Sequence, residues 1–332
     1  ADFIIIAPLT ATTLSKWATG NADGLVSSIL IANNKPLIVA PAMNNNMWIN
    51  TAVQNNFKKI KAYPNVLSLK PYEGLLACDQ FGIGKIPSNE HIMLALQFLI
   101  IQKKNFNFLD LSKKSFLITG GATTEKIDFA RSITNNSSGV MGLCLAQIAQ
   151  FRGANVKYIH GPLNLNGDIG EGIEKVEIKN GNDLKIAIKN EIENYDYLIM
   201  NAAVTDIKLK ENISSKIPKN ELHNHIVENI ELVPDILKDV CKYKKNNQTF
   251  IGFCAFSGSL ENLRPIIKNK LDNKNCDLIF ANPIDLEGQG FGSAAQNEGW
   301  LFDKDKMEFH IKKTSKLDLA NKLINKIISI DK

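Results

Sequence analysis

The fold class that the sequence predicts is α/β, with two doubly wound, Rossmann-like three-layer domains and mainly parallel sheets. Three observations predict it. Short apolar runs alternate with amphipathic stretches through both halves, and runs that are apolar at every position mark strands buried on both faces of a parallel sheet. The 332 residues exceed the roughly 100–200 of one average domain. The segments richest in Gly, Asn and Thr follow apolar runs, at the strand ends where open parallel sheets bind ligands.

The elements follow in order. Phe3–Ala7 reads as a strand, Gly24–Asn33 as a helix and Leu37–Ala40 as the next strand. A helix near Ala52–Ile60, a strand at Val66–Leu69 and a helix from Glu90 to Gln102 complete the first set. Lys103–Lys114 is polar, dotted with aromatics and aperiodic, so the boundary is expected there. Residues 1–105 then form the first domain, 106–113 a linker and 114–332 the second domain. In the second, strand Ser115–Thr119 runs into a Gly-rich turn, followed by helix Gly139–Arg152 and strand Val156–His160. Helix Asp183–Ile192, strand Tyr197–Asn201, helix Pro234–Cys241, strand Phe250–Phe253, helix Leu260–Leu271 and strand Leu278–Asn282 continue the rhythm. A hairpin of Gly299–Phe302 with Met307–Ile311 and a last helix, Lys316–Ile330, close it. His223-Asn224-His225 reads as strand or loop with solvent-facing imidazoles, and no His has metal-ligand spacing to carboxylates or cysteines.

Composition narrows the function. Hydrophobic residues make up 44% and charged residues 22%, as in ordinary globular proteins. No apolar run reaches the roughly 18 residues of a membrane-spanning helix. Thirty-nine basic against 34 acidic residues leave +5, which suits small anionic ligands but is too diffuse for a nucleic-acid surface. The five cysteines are scattered without a C-x-x-C pair, so neither a disulfide framework nor a zinc site is suggested and a reducing cytoplasm is the expected compartment. The chain opens with Ala1 and enters an apolar strand at once, so a preceding segment is expected.

Three loops of the first domain carry chemistry. Pro8-Leu9-Thr10-Ala11-Thr12-Thr13 ends a strand and is followed by Gly20-Asn21-Ala22-Asp23. Pro41-Ala42-Met43-Asn44-Asn45-Asn46-Met47-Trp48 ends the next; its amides can hydrogen-bond a carboxylate and its Trp can cover an aromatic ring, although Asn is also common in plain turns. Gly74-Leu75-Leu76-Ala77-Cys78 precedes Gly82 and Gly84. In this order the three resemble the flavin-dependent cysteine decarboxylases, specifically phosphopantothenoylcysteine decarboxylase, whose P-x-M-N-x-x-M-W pattern the middle segment matches at every fixed position. The resemblance covers about residues 1–105. It implies that Thr10, Ala11, Thr12 and Met43 line FMN, that Asn44 binds the carboxyl region of the substrate, and that Cys78 is the proton donor on a mobile clamp. The family's catalytic His and its flavin phosphate loop fall before Ala1. Thr12 and Asp79-Gln80 stand where the family usually has Asn and Gly-Asp.

The second domain opens with Leu117-Ile118-Thr119-Gly120-Gly121-Ala122-Thr123, a strand running into glycines with backbone N–H groups free for an anion. Ile127-Asp128, Arg131, Thr134-Asn135-Asn136-Ser137-Ser138-Gly139 and Met141-Gly142 follow. Farther along stand Asn201-Ala202-Ala203-Val204-Thr205-Asp206, Lys216-Ile217, Pro234-Asp235-Ile236-Leu237, Gly252-Phe253, and Lys270 and Lys274 before Asp277-Leu278-Ile279. This series resembles the phosphopantothenate–cysteine ligase domain from about Lys114 to Ile330. The resemblance implies coenzyme A biosynthesis: cysteine joined to 4'-phosphopantothenate through an acyl-cytidylate made from CTP with Mg²⁺, and then FMN-dependent decarboxylation in the full-length chain.

The residue types suit that chemistry. Asp206 could take the base or ribose, or help hold Mg²⁺. Lys216, Lys270 and Lys274 could neutralise the triphosphate and the charge that develops at phosphorus. Asn135 could hold the acyl intermediate by amide hydrogen bonds, with Arg131 on a phosphate or carboxylate. Asn201, Ala202, Pro234, Asp235, Ile236, Leu237 and Phe253 complete the expected nucleotide and substrate contacts. Val140, Phe256 and Val233 stand where the family has Lys, Glu and Asn. A short-chain dehydrogenase needs Y-x-x-x-K, and no Tyr here has Lys four positions later. A non-catalytic regulatory subunit related to the flavin decarboxylases is the alternative. Both parent families assemble, so a homo-oligomer is expected.

Overall fold

The computed structural model describes residues 1–76, 79–102, 108–163, 170–211, 215–286, 288–290, 296–305 and 307–330. The chain falls into two compact units, one built on Ala1–Ser112 and the other on the bulk of residues 113–332.

The first unit contains β1 (Ile4–Leu9), α1 (Ala11–Thr19), α2 (Leu25–Ala32), β2 (Leu37–Pro41), α3 (Asn45–Ile49), α4 (Thr51–Lys61), β3 (Val66–Ser68), β4 (Tyr72–Leu75), β5 (Phe81–Lys85) and α5 (Asn89–Gln102). β1, β2 and β3 form a parallel sheet in that order. β2 is buried at every position, which explains its unbroken apolar run. Thr10 and Asn50 cap α1 and α4 by accepting the N–H of Thr13 and Ala52. Lys58, Lys59 and Lys61 place positive charge in the last turn of α4, where the helix dipole favours it. Leu9, Leu14, Trp17, Leu30, Leu37, Val39, Trp48, Phe57 and Ile60 form the core.

The second unit contains β6 (Ser115–Gly120), β7 (Thr124–Lys126), β8 (Ser132–Thr134), α6 (Val140–Phe151), β9 (Asn155–His160), β10 (Glu174–Glu177), α7 (Gly181–Glu191), β11 (Tyr197–Met200), β12 (Ile207–Leu209), α8 (Leu222–Asn229), β13 (Ile230–Leu232), α9 (Ile236–Cys241), β14 (Thr249–Phe256), α10 (Leu260–Lys274), β15 (Leu278–Pro283), β16 (Gln296–Asp303), β17 (Glu308–Ser315) and α11 (Lys316–Ile330). Its eight-stranded sheet runs β10-β9-β6-β11-β14-β15-β16-β17. The first six strands are parallel and the last two antiparallel. Counted along the chain, the parallel strands lie in the order 3-2-1-4-5-6, that of dinucleotide-binding folds, with its switch point between β6 and β11.

One segment differs from the sequence reading. His223 and His225 lie in helix α8 rather than in a strand or loop. Leu222 and Ile226 stand one helical turn apart, and this spacing outweighs the polar alternation of His-Asn-His. Helices α1 and α3, strand β10 and the ribbons β4–β5, β7–β8 and β12–β13 also come in addition to the elements expected. Among the described residues no helix is long and apolar enough to cross a membrane.

Candidate functional site

At the switch point of the second unit the loops after β6 and β11 are stitched together by buried hydroxyls. Thr119 Oγ1 accepts the N–H of Ala202 at 3.1 Å, and Thr123 Oγ1 accepts that of Thr205 at 3.0 Å. The N–H of Ala203 reaches Gly121 O at 2.8 Å, and that of Thr123 reaches Ala203 O at 3.1 Å. The glycines permit this closeness. A Cβ on Gly120 would lie 2.1 Å from the Tyr158 hydroxyl, and one on Gly161 would lie 1.8 Å from Ala122 O. Thr119, Thr123 and Thr205 were not singled out from sequence, because a threonine that stitches backbone has no pattern distinguishing it from one that packs.

Asn135 follows β8 and donates its amide N–H groups to Ala203 O at 3.2 Å and Val204 O at 2.9 Å. Its donors are therefore committed to the β11 loop, and the side-chain oxygen is the atom left for a ligand. Asn201 and Ala202 lie partly buried in the same loop, and Asp206 is exposed at its end. The Asp206 carbonyl accepts the N–H of Val233 at 2.9 Å, which brings Pro234 and Asp235 to the same edge.

Asp128, in the turn between β7 and β8, has a wholly buried side chain. It accepts the N–H of Ala130 at 2.7 Å, Arg131 Nη1 at 2.8 Å and the N–H of Ile217 at 3.1 Å. Burial pushes its carboxyl up. The N–H groups of Ala130 and Ile217 and the Arg131 guanidinium more than offset this and hold it below the ordinary carboxylate range. Lys216 is exposed beside Ile217.

A second group surrounds the start of α9. Asp235 caps that helix through the N–H of Lys238 at 3.1 Å and pairs with Lys274 Nζ at 2.8 Å. Pro234 is exposed, whereas the side chains of Ile236 and Leu237 belong to the core, so those two residues offer a ligand their backbone only. Lys270 Nζ lies 3.1 Å from Cys254 Sγ on β14. Phe253 packs on Phe280 with ring centroids 5.2 Å apart. Burial pushes the thiols of Cys144 and Cys241 up to about 12 and that of Cys276 to about 11, so none of the three is a ready nucleophile. Among the described residues no group of three or more His, Cys, Asp or Glu could hold a metal ion.

In the first unit Thr10, Ala11 and Thr12 follow β1, and Met43 and Asn44 follow β2. Asn44 caps α3 by accepting the N–H of Asn46 at 2.8 Å. Hairpin β4–β5 docks on this loop. The N–H of Met43 donates to Gly84 O at 3.0 Å, and Asn45 Oδ1 accepts the N–H of Ile83 at 3.0 Å. Asp79 takes a left-handed φ of 56°, a conformation glycine adopts more readily. Trp48 is buried, edge-on to Phe57 at 5.0 Å, so it is a core residue and does not cover a ligand ring. Met43 packs partly against the same core. Cys78 lies outside the described residues.

Comparison with known proteins gives a consistent picture. A family model described as DNA/pantothenate metabolism flavoprotein C-terminal domain matches residues 111–330, and one described as flavoprotein matches residues 1–100. The chain is 34% identical over 325 residues to the coenzyme A biosynthesis bifunctional protein CoaBC of Borreliella burgdorferi, covering 98% of this chain and 79% of that protein. To the CoaBC protein of Bacillus subtilis it is 33% identical over 332 residues, covering 100% and 79%. Among solved structures, the C-terminal domain of a CoaBC protein superposes with a TM-score of 0.52 at 31% identity, over 65% of this chain and 96% of that one.

Proposed function

The chain belongs to the family of coenzyme A biosynthesis bifunctional proteins, and on that premise we propose that its second unit joins cysteine to 4'-phosphopantothenate through an acyl-cytidylate made from CTP. It is an enzyme of coenzyme A biosynthesis with phosphopantothenate–cysteine ligase and phosphopantothenoylcysteine decarboxylase activities. We assign the ligation to residues 114–332 and the decarboxylation to the domain that residues 1–105 belong to. The observation that carries the ligase reading is that Asn135 bonds the loop after β11 that ends in Asp206, at the β6/β11 switch point, while Arg131 and the residue next to Lys216 are both held at the Asp128 turn.

In the first step a substrate carboxylate oxygen attacks the α-phosphorus of CTP, the bond to the β-phosphate breaks, and pyrophosphate leaves. In the second step the cysteine amine attacks the acyl carbon, CMP leaves and a proton is released. Lys216, exposed and flexible, suits charge that moves during the first step. Lys270 and Lys274 reach the nucleotide from α10, and the backbone of Pro234, Asp235, Ile236 and Leu237 lines it from the start of α9, with Phe253 beside them. Asn135 offers its side-chain oxygen to an N–H or O–H of the bound acid, and Arg131 neutralises its anion. Asp206 would be the protein carboxylate for Mg²⁺ bound to the triphosphate, an ion that usually takes few protein ligands and would offset the phosphate charge.

In the first unit the residues assigned to the flavin follow β1 and β2, the strand ends where open parallel sheets bind ligands. Thr10, Ala11, Thr12 and Met43 would hold FMN, which supplies two-electron chemistry when bound. Asn44 would orient the substrate carboxyl and Cys78 would donate a proton. Apolar side chains on α2 and α3, among them Leu25 at 78% and Ile49 at 59% exposure, support a homo-oligomer. The ligase reading is tested by incubating the chain with 4'-phosphopantothenate, cysteine, CTP and Mg²⁺. Pyrophosphate release that needs the acid supports it, and release without the acid or none at all counts against it.

A further inference from the structure

We infer that Asp128 is a positioning residue for ligation, one carboxylate that fixes both the Arg131 guanidinium and the backbone carrying Lys216; this rests on the ligase reading above. The carboxylate contacts two stretches of chain far apart in sequence. On the near side it closes its own turn through the N–H of Ala130 at 2.7 Å and takes Arg131 Nη1 at 2.8 Å. On the far side it takes the N–H of Ile217 at 3.1 Å. Arg131 Nη1 also donates to Ile217 O at 3.3 Å. The Ile217 residue, itself buried, is thus held at both its N–H and its carbonyl, one position after Lys216.

A charge this deeply buried is tolerated only when hydrogen bonds and an opposite charge compensate it. Here the compensation comes from both stretches at once, so the carboxylate cannot be satisfied unless they are together. Its oxygens are occupied and its side chain is wholly buried, so it acts through its partners and not on substrate. The consequence falls on Lys216, whose exposed side chain has several free torsions. Anchoring its backbone restricts the volume the ammonium samples, and small misplacements of a charge-stabilising group are costly in rate.

The test uses the full chain with Asp128→Asn, which keeps the shape and one acceptor oxygen. Amide exchange at Ile217 should quicken about tenfold or more while the amides of β6 and β11 stay within about twofold. In ligation, kcat should fall about tenfold or more with the KM for CTP within about threefold. Because Asp128 acts through Lys216, Asp128→Asn added to Lys216→Gln should lower kcat by less than about threefold further. Unchanged exchange at Ile217 overturns the inference, as do additive losses in the double variant. Absence of turnover in the parent chain would remove the ligase reading and this role with it, and the exchange measurement would still report whether Asp128 holds Ile217.

Discussion

Lys274 Nζ lies 2.8 Å from Asp235 Oδ2, which ties the last turn of α10 to the residue that caps α9. The pair holds an ammonium beside the first turn of α9, where the nucleotide is proposed to bind. With 24% and 38% of their side chains exposed, the two residues are partly screened, and such pairs contribute at most about 1 kcal/mol to stability. Lys274→Ala should therefore shift the thermal midpoint by only a few degrees. Its effect should fall on binding, with the KM for CTP rising about tenfold on loss of a charge contact to phosphate. Steady-state kinetics and calorimetry on the same sample check this, and an unchanged KM would assign Lys274 to structure alone.

Lys216 and Asn135 should act on different steps. Lys216→Gln removes a mobile charge and should slow turnover about a hundredfold or more, with a modest change in CTP affinity. Asn135→Asp turns two donors facing the carbonyls of Ala203 and Val204 into a carboxylate. That substitution should loosen the β11 loop, cost about 1–3 kcal/mol and weaken retention of the acyl-cytidylate. Rapid-quench trapping beside steady-state rates separates the two effects. If both variants keep rate and intermediate level within about twofold of the parent, the assignments fail.

Much of the architecture was legible in the sequence because buried parallel strands face only one demand, to be apolar throughout. Leu37–Ala40 and the first four residues of Leu278–Asn282 show it, and the amphipathic period of α11 placed that helix at Lys316–Ile330, as found. The ribbons β7–β8 and β12–β13 were not legible, since three residues per strand are too few to establish a period. The loops of the candidate site could be placed at strand ends, and resemblance proposed their residues. Which atoms are already committed could not be read. The Asn135 amide spends its donors on backbone carbonyls, and Asp128 meets Ile217 across a long stretch of sequence. Both depend on tertiary contacts that leave no local pattern.

Acid should weaken the second unit at a definable point. Hydrogen bonds from Lys185 and then Lys242 hold the Asp239 carboxyl down at about 2, against an ordinary value of 3.8. A carboxyl whose folded pKa is depressed stabilises the fold above its unfolded pKa, and that contribution is lost as pH falls through the folded value. The thermal midpoint should fall as pH drops from 3.8 towards about 2, and Asp239→Asn should flatten part of that slope. An unchanged slope in the variant would place the acid sensitivity elsewhere.

The docking of hairpin β4–β5 turns on Gly84. A Cβ there would sit 2.0 Å from Met43 O, and backbone cannot yield to it without losing the Met43 N–H bond at 3.0 Å. Gly84→Ala should cost about 1–3 kcal/mol and speed tryptic cleavage at Lys85. Ligation should be unchanged, since the substitution lies in the first unit. A loss of ligation in this variant would show that the two halves do not work independently.

The most direct test of the central claim is a single-turnover experiment with CTP labelled at its α-phosphate, 4'-phosphopantothenate and Mg²⁺, with cysteine withheld. The predicted result is labelled acyl-cytidylate together with an equal amount of pyrophosphate, converted to CMP and amide when cysteine is added. Labelled CTP recovered intact under these conditions would contradict the account and favour a chain that binds these ligands without joining them.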